Sequence, residues 1–211
     1  MTFRKIQRVT LPALYAILDP EQTNSRSPDI VLRQLLEGGA KIIQVRAKTM
    51  SSRNFLQLAQ RARDLTAPCD CKLIVNDRAD IALGTAADGV HLGQEDLPLQ
   101  AGRKLLGDKI IGVSTHSLEQ AQEAEADGAD YIGFGPIFGT ATKNTGYTAR
   151  GLEMLAQIRA AVALPIVAIG GITEANIQDV WQAGADSAAI ISDILKAEEV
   201  AAKVSAILAR R

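Results

Sequence analysis

Eight short apolar runs rich in β-branched residues recur along this chain, separated by segments of helical periodicity. The runs cover residues 14–18, 41–45, 72–75, 89–92, 109–113, 131–134, 165–169 and 187–191. Most are continuously apolar rather than alternating, the pattern of strands covered on both faces. Strands that alternate with helices build a parallel sheet, either closed as a (β/α)8 barrel or open and doubly wound. Three features favour an α/β fold of the closed kind, a single-domain (β/α)8 TIM barrel over residues 1–211. There are eight runs, no Gly-x-Gly-x-x-Gly follows the first, and chemically capable side chains stand at nearly every run's end. A length of 211 residues is compact for that fold and implies short loops.

The helical segments carry their own start and stop signals. Residues 28–37 follow Ser27, a candidate N-cap, with Pro28 at the first helical position. Residues 52–65 place Phe55, Leu58, Ala59 and Ala62 on one stripe. Further helices are expected over 99–106, 118–126 after Ser117, 151–161, 176–183 and 198–208, with a shorter one at 79–83. A turn signature occurs three times between a helix and the next strand: Glu37-Gly-Gly-Ala-Lys41, Ala126-Asp-Gly-Ala-Asp130 and Ala183-Gly-Ala-Asp186. Glycine there supplies the positive φ of a helix C-cap.

Composition removes several function classes. The net charge of −1 offers no basic excess for nucleic acid, and 4% aromatic residues make poor stacking platforms for single strands. No apolar run approaches the length of a membrane span, and the first residues lack the apolar core of a secretory signal. Cys69 and Cys71, two residues apart without a metal-ligand cluster, read as reduced thiols. We therefore expect a cytoplasmic protein with no nucleic-acid partner and no membrane association.

In a barrel of this kind, chemistry gathers where the strands end. Those ends carry Asp19, then Arg46 and Lys48, Asn76 and Asp77, Gln94 and Asp96, Ser114, then Thr140, Thr142 and Lys143, Gly170 and Gly171, and Ser192. Asp77 and Asp96 follow consecutive runs, so two carboxylates emerge at one mouth, able to hold a hard divalent ion. Each also has a plainer reading: Asp77 as a partner of Arg78 or a helix cap, Asp96 as a cap before Pro98. Gln44, Arg46 and Lys48 alternate, which places them on one face of an extended strand, costly to bury unless anions meet them. Lys143 lies in the hydroxyl-rich, glycine-bounded stretch 139–146, able to fold over a phosphate as a lid. Gly170-Gly171 and Ile191-Ser192 end the seventh and eighth runs, the usual phosphate-binding loops of the fold. Of the two histidines, His91 inside a run reads as structural, and His116 stands near the mouth.

Seven segments in register make a more specific pattern: Gln44-Val-Arg-Ala-Lys48, Val75-Asn-Asp-Arg78, Asp88-Gly-Val-His-Leu-Gly-Gln-Glu-Asp96, Ile111-Gly-Val-Ser114, Gly135-Pro-Ile-Phe-Gly-Thr-Ala-Thr-Lys143, Ala168-Ile-Gly-Gly-Ile172 and Ile191-Ser192. Together they resemble the thiamine phosphate synthase family. The resemblance implies a barrel that joins hydroxymethylpyrimidine diphosphate to thiazole phosphate, with or without a carboxylate on the thiazole, giving thiamine phosphate and pyrophosphate. It further implies that Gln44, Val45, Arg46, Ala47, Lys48 and Asn76 hold the pyrimidine diphosphate, and that Asp77 and Asp96 hold Mg2+. Ser114 would contact the diphosphate or the reacting centre, and Lys143 the diphosphate. Thr140, Ala141 and Thr142 would face the thiazole, and Gly171, Ile191 and Ser192 its phosphate. Arg46, Lys48, Ser114 and Lys143 are the expected catalytic set. The alternatives are a related thiazole tautomerase, an aldolase-type barrel using Lys48 or Lys143 as a Schiff base, and a non-catalytic barrel that binds thiamine precursors. The tautomerase branch is expected to lack the second metal carboxylate and the motif lysine, both of which this chain keeps. Whether the chain forms a homo-oligomer is left open.

Overall fold

The computed structural model describes residues 9–139 and 148–211. Its eight parallel strands close into a barrel in chain order. They are β1 (Leu14–Leu18), β2 (Ile42–Val45), β3 (Lys72–Asn76), β4 (Gly89–Leu92), β5 (Ile110–Thr115), β6 (Tyr131–Phe134), β7 (Ile166–Ile169) and β8 (Ser187–Ile190). The first seven lead into α1 (Pro28–Glu37), α2 (Ser52–Thr66), α3 (Ala79–Gly84), α4 (Leu99–Leu106), α5 (Leu118–Ala126), α6 (Gly151–Ala161) and α7 (Ile177–Gln182). The last is followed by a single-turn α8 (Ser192–Leu195) and by α9 (Val200–Leu208). β1 pairs with β2 through Ala16 and Ile43, and with β8 through Leu14 and Ala188, so closure leaves no sheet edge between them.

Strand alternation divides the core in two. Tyr15, Ile17, Ile42, Ile74, Tyr131, Val167 and Ala189 form a cluster along the barrel axis. Their neighbours, such as Leu14, Ala16, Leu18 and Ile43, belong to a larger shell with Val31, Leu32 and Leu35 of α1 and Phe55, Leu58 and Ala62 of α2. Burying each large side chain of that shell contributes about 1.5–3 kcal/mol relative to exposure. The continuous apolarity of the strand runs follows from this double coverage.

Local signals act largely as the sequence implies. Ser51 and Ser117 cap α2 and α5 by accepting the N–H of Asn54 and Gln120. Ser27 differs: its hydroxyl makes no cap bond, and its carbonyl instead accepts the N–H groups of Ile30 and Val31 behind Pro28. The three turn signatures place Gly39, Gly128 and Gly184 at φ of 98°, 85° and 106°, where a Cβ would be strained.

A further repeat, with a period of two βα units, closes the N-terminal mouth. Asp88, Asp130 and Asp186 stand just before β4, β6 and β8. They accept the backbone N–H of Leu73, Ile111 and Ile166 on the preceding strands, at 2.9, 2.8 and 2.8 Å. Each also pairs with an arginine on the helix before that strand: Arg63, Arg103 and Arg159. One carboxylate thus ties a helix and two strands, and Lys41 occupies the matching place before β2. Among the described residues no helix is long and apolar enough to cross a membrane. Both cysteines are free thiols, Cys69 exposed and Cys71 buried.

Asp130→Ala should cost about 1–3 kcal/mol, because it orphans the Ile111 N–H and removes the charge partner of Arg103, which keeps only its backbone carbonyl acceptors. The Asp186 side chain, 44% exposed against 12% for Asp130, should cost less on removal. Urea denaturation of the two variants tests this order; equal midpoints with the parent would mean that these carboxylates do not hold the mouth together.

Candidate functional site

The C-terminal mouth collects the acids and bases that end β1 to β4. A tight turn leaves β3: the Arg78 N–H donates to the Asn76 carbonyl at 2.7 Å, with Asp77 between them at φ 63°. A non-glycine residue held there stores local strain, a frequent property of functional sites. The Asp77 N–H donates to the His91 carbonyl at 2.8 Å, which ties this turn to β4. The Asp77 side chain pairs with Lys48 and neighbours Asp96. Asp96 in turn accepts the Gly93 N–H at 2.7 Å. The plainer readings of both acids fail here. Arg78 pairs with Asp80, Arg78 occupies the N-cap of α3 with no side-chain cap bond, and Pro98 occupies that of α4 in the same way.

Burial holds the Asp77 carboxyl above the usual carboxylate range, and the neighbouring Asp96 carboxyl adds to this, while Lys48 opposes both. Two neighbouring acids, one of them paired with a lysine, are a donor set that a hard cation would relieve. Among the described residues no group of three or more His, Cys, Asp or Glu stands ready to hold a metal. Two carboxylates nevertheless suit Mg2+, which keeps several waters and takes other ligands from substrate phosphates.

Gln44 and Arg46 share the inward face, and Lys48 alone departs from it. β2 ends at Val45, so only Gln44 lies in the strand, buried and donating to the Tyr15 hydroxyl at 3.1 Å. Arg46 lies just beyond and pairs with Asp19, whose other oxygen accepts the Glu21 N–H at 3.1 Å. Asp19 is only 1% exposed, so the two charges depend on each other. The Arg46 Nε is buried without a hydrogen-bond partner among the described residues, a donor still to be met. Lys48, 46% exposed, reaches Asp77 from the loop. Val45 and Ala47 pack into the outer shell. Asn76, the last residue of β3, is buried two positions beyond the inward Ile74.

Ser114, Gly171, Ile191 and Ser192 line one cleft on the β5 to β8 side. Gly170 and Gly171 adopt φ of 102° and 64°. A Cβ on Gly171 would lie 2.6 Å from the Gly139 carbonyl oxygen and 2.7 Å from the Phe138 Cβ, so only glycine fits this turn. Asn176 braces it, donating to the Gly171 carbonyl at 3.1 Å and accepting the Thr173 N–H at 2.8 Å. Asp193 of α8 accepts the Glu174 N–H at 2.9 Å and so joins the seventh loop to the eighth. Such glycine-built loops present backbone N–H groups to anions. Thr140, Ala141, Thr142 and Lys143 lie outside the described residues.

Several lining residues were missed by sequence reasoning. Tyr15, Tyr131, Gly133 and Thr173 join the cleft. So does His91, from inside β4: its ring stacks on Tyr131 at 5.6 Å and meets the Ser114 hydroxyl at 2.9 Å. His116 also lines it, donating Nδ1–H to the Gly135 carbonyl at 2.7 Å. A usable signal existed, since a polar tip on an inward strand position must find a partner inside the barrel.

Comparison with known proteins adds an independent line. A family model described as thiamine monophosphate synthase matches residues 14–194. The chain is 47% identical over 189 residues to a thiamine-phosphate synthase from Chloroflexus aurantiacus, covering 90% of this chain and 88% of that protein. It is 46% identical over 197 residues to one from Shouchella clausii, covering 93% and 94%. The solved thiamine phosphate pyrophosphorylase from Pyrococcus furiosus superposes with a TM-score of 0.86 at 38% identity, over 94% of this chain and 96% of that one. The family match, the identity to these relatives and the closely superposing barrel lead to one conclusion: this chain belongs to the thiamine monophosphate synthase family.

Proposed function

We propose that the barrel catalyses Mg2+-dependent coupling of hydroxymethylpyrimidine diphosphate to thiazole phosphate, releasing pyrophosphate. The observation that carries this reading is the meeting of Asp77, Asp96 and Lys48 at one mouth, beside a cleft floored by Gly170-Gly171. Asp77 and Asp96 hold Mg2+ in this reading; the bound ion supplies charge neutralisation for the departing pyrophosphate. Arg46 presents its unmet Nε–H, and Lys48 its ammonium, to the same oxygens. Asn76 and Gln44 orient the pyrimidine, and Ser114 donates to the diphosphate or the reacting centre. Gly171, Ile191 and Ser192 receive the thiazole phosphate; Thr140, Ala141 and Thr142 are assigned to the thiazole and Lys143 to the diphosphate.

The chemistry needs no nucleophile from the protein. The bond between the exocyclic pyrimidine carbon and the diphosphate oxygen breaks with its electron pair on pyrophosphate. The thiazole nitrogen then donates its lone pair to that carbon. The protein positions both reactants, excludes water and stabilises the leaving charge, and preorganised electrostatics of this sort commonly dominate catalysis. A Schiff-base role for Lys48 fits poorly, since its amine stands in an ion pair and not in an apolar pocket. The free thiols of Cys69 and Cys71 support a reducing, cytoplasmic setting.

Asp77→Ala and Asp96→Ala should each lower pyrophosphate release with both substrates by about 100-fold or more, with circular dichroism unchanged. Normal turnover by either variant would remove that residue from the metal site. The raised Asp77 value also gives a pH dependence. Its ionised form costs the metal-free protein stability, a cost relieved as pH falls through the raised value, whereas Mg2+ requires the ionised form. The increase in Tm caused by Mg2+ should therefore fade on acidification sooner than an ordinary aspartate would dictate, and vanish in Asp77→Asn. An increment that persists in Asp77→Asn would place the ion elsewhere.

A further inference from the structure

A line of polar side chains crosses the barrel interior beneath the cleft. Gln44 Nε2 donates to the Tyr15 hydroxyl at 3.1 Å, and Tyr15 and Tyr131 hydroxyls meet at 2.7 Å. The Tyr131 hydroxyl lies 3.1 Å from His91 Nδ1, and His91 Nε2 lies 2.9 Å from the Ser114 Oγ. Two strand glycines leave room for these rings. A Cβ at Gly112 would stand 2.0 Å from the Tyr131 Cζ, and one at Gly133 would stand 2.8 Å from the His91 Cε1. Glycine weakens a strand, so its use at two adjoining sites is consistent with a demand for this ring packing.

Donor counting gives the line a direction. The amide of Gln44 already donates to the Tyr15 oxygen, so the Tyr15 proton turns to Tyr131, and the Tyr131 proton turns to His91 Nδ1. Burial pushes both phenols above their ordinary range, so each keeps the proton it must pass on as a donor. With Nδ1 accepting, a neutral imidazole carries its proton on Nε2, which faces Ser114. The Ser114 oxygen is then an acceptor from His91, and its own proton is left for a ligand in the cleft.

We propose that His91 is a positioning residue: the Gln44–Tyr15–Tyr131 line sets its Nε2–H tautomer, and that tautomer turns the Ser114 hydroxyl into a donor towards an acceptor atom of the substrate. The acceptor is a diphosphate oxygen or a pyrimidine ring nitrogen, an assignment that rests on the coupling reaction proposed above. The tautomer itself does not depend on that reaction.

The chain has only two histidines, and His116 is the complementary case, with Nδ1–H bound to the Gly135 carbonyl. In a protein carrying no histidine tag, nitrogen-15 NMR above the ordinary imidazole range should therefore resolve two opposite tautomers. Tyr131→Phe, which keeps the ring, should shift the His91 signals towards a tautomer mixture and leave those of His116 in place. A His91 already in the Nδ1–H form, or unmoved by Tyr131→Phe, would overturn the proposal. Kinetics supply the second arm. Tyr131→Phe and Ser114→Ala should each lower kcat/KM for the pyrimidine diphosphate by about 10-fold, and the double variant by no more than the worse single one. Multiplicative losses would mean that the two residues act separately. A parent protein inactive in coupling would refute the proposed function, while the NMR result would still decide the tautomer.

Discussion

Pairing of β1 with β8 is the constraint on which the rest of this molecule depends. Once the sheet closes, each strand has one end at each mouth, and residues remote in the chain become neighbours around a ring. The two mouths then divide their work. At the N-terminal mouth, Asp88, Asp130 and Asp186 are each satisfied by a backbone N–H and an arginine. At the C-terminal mouth the groups are in tension: Asp77 sits at a positive φ beside a second acid, and the Arg46 Nε lacks a partner among the described residues. Stability and chemistry are built from the same residue types, and the difference lies in whether their hydrogen-bonding capacity is exhausted.

The tension at the C-terminal mouth has a consistent electrostatic sense. Asp77 leans on Lys48 with Asp96 beside it, and the arginine nearby is already half engaged by a buried aspartate. Such a site gains most from a ligand that brings both signs of charge, a polyphosphate together with a divalent cation. The glycine turns of the seventh loop provide a second, uncharged anion cradle across the mouth. Coupling two phosphorylated substrates requires two such places with different chemistry, so that each substrate has one orientation.

Much of this was legible beforehand because it is local. Strand runs such as 14–18, 89–92 and 131–134 match the observed strands, and the helices at 28–37, 118–126 and 151–161 match theirs. A β-branched run, a serine before a helical stripe and a glycine after it act within a few residues, and the structure retains them. The convergence of Asp77 and Asp96 was also readable, since both follow adjacent strands of a parallel sheet. The shared face assigned to Gln44, Arg46 and Lys48 holds for the first two, since Val45 and Ala47 pack outward and the Arg46 N–H still donates to the Leu18 carbonyl, whereas Lys48 reaches Asp77 from the loop.

Sequence alone determined the fold class, the family pattern and the rim positions from which chemistry would come, because periodicity and strand ends are properties of short stretches of chain. Only the tertiary structure decided which side chains become partners. Tyr15 and Tyr131 are 116 positions apart, and no local signal links them. Barrel closure brings their hydroxyls to 2.7 Å, sets His91 against Ser114 and gives a histidine within a strand a place at the cleft. Hydrogen-bond direction inside a closed ring is a property of the whole circuit, so it appears only when the ring is complete.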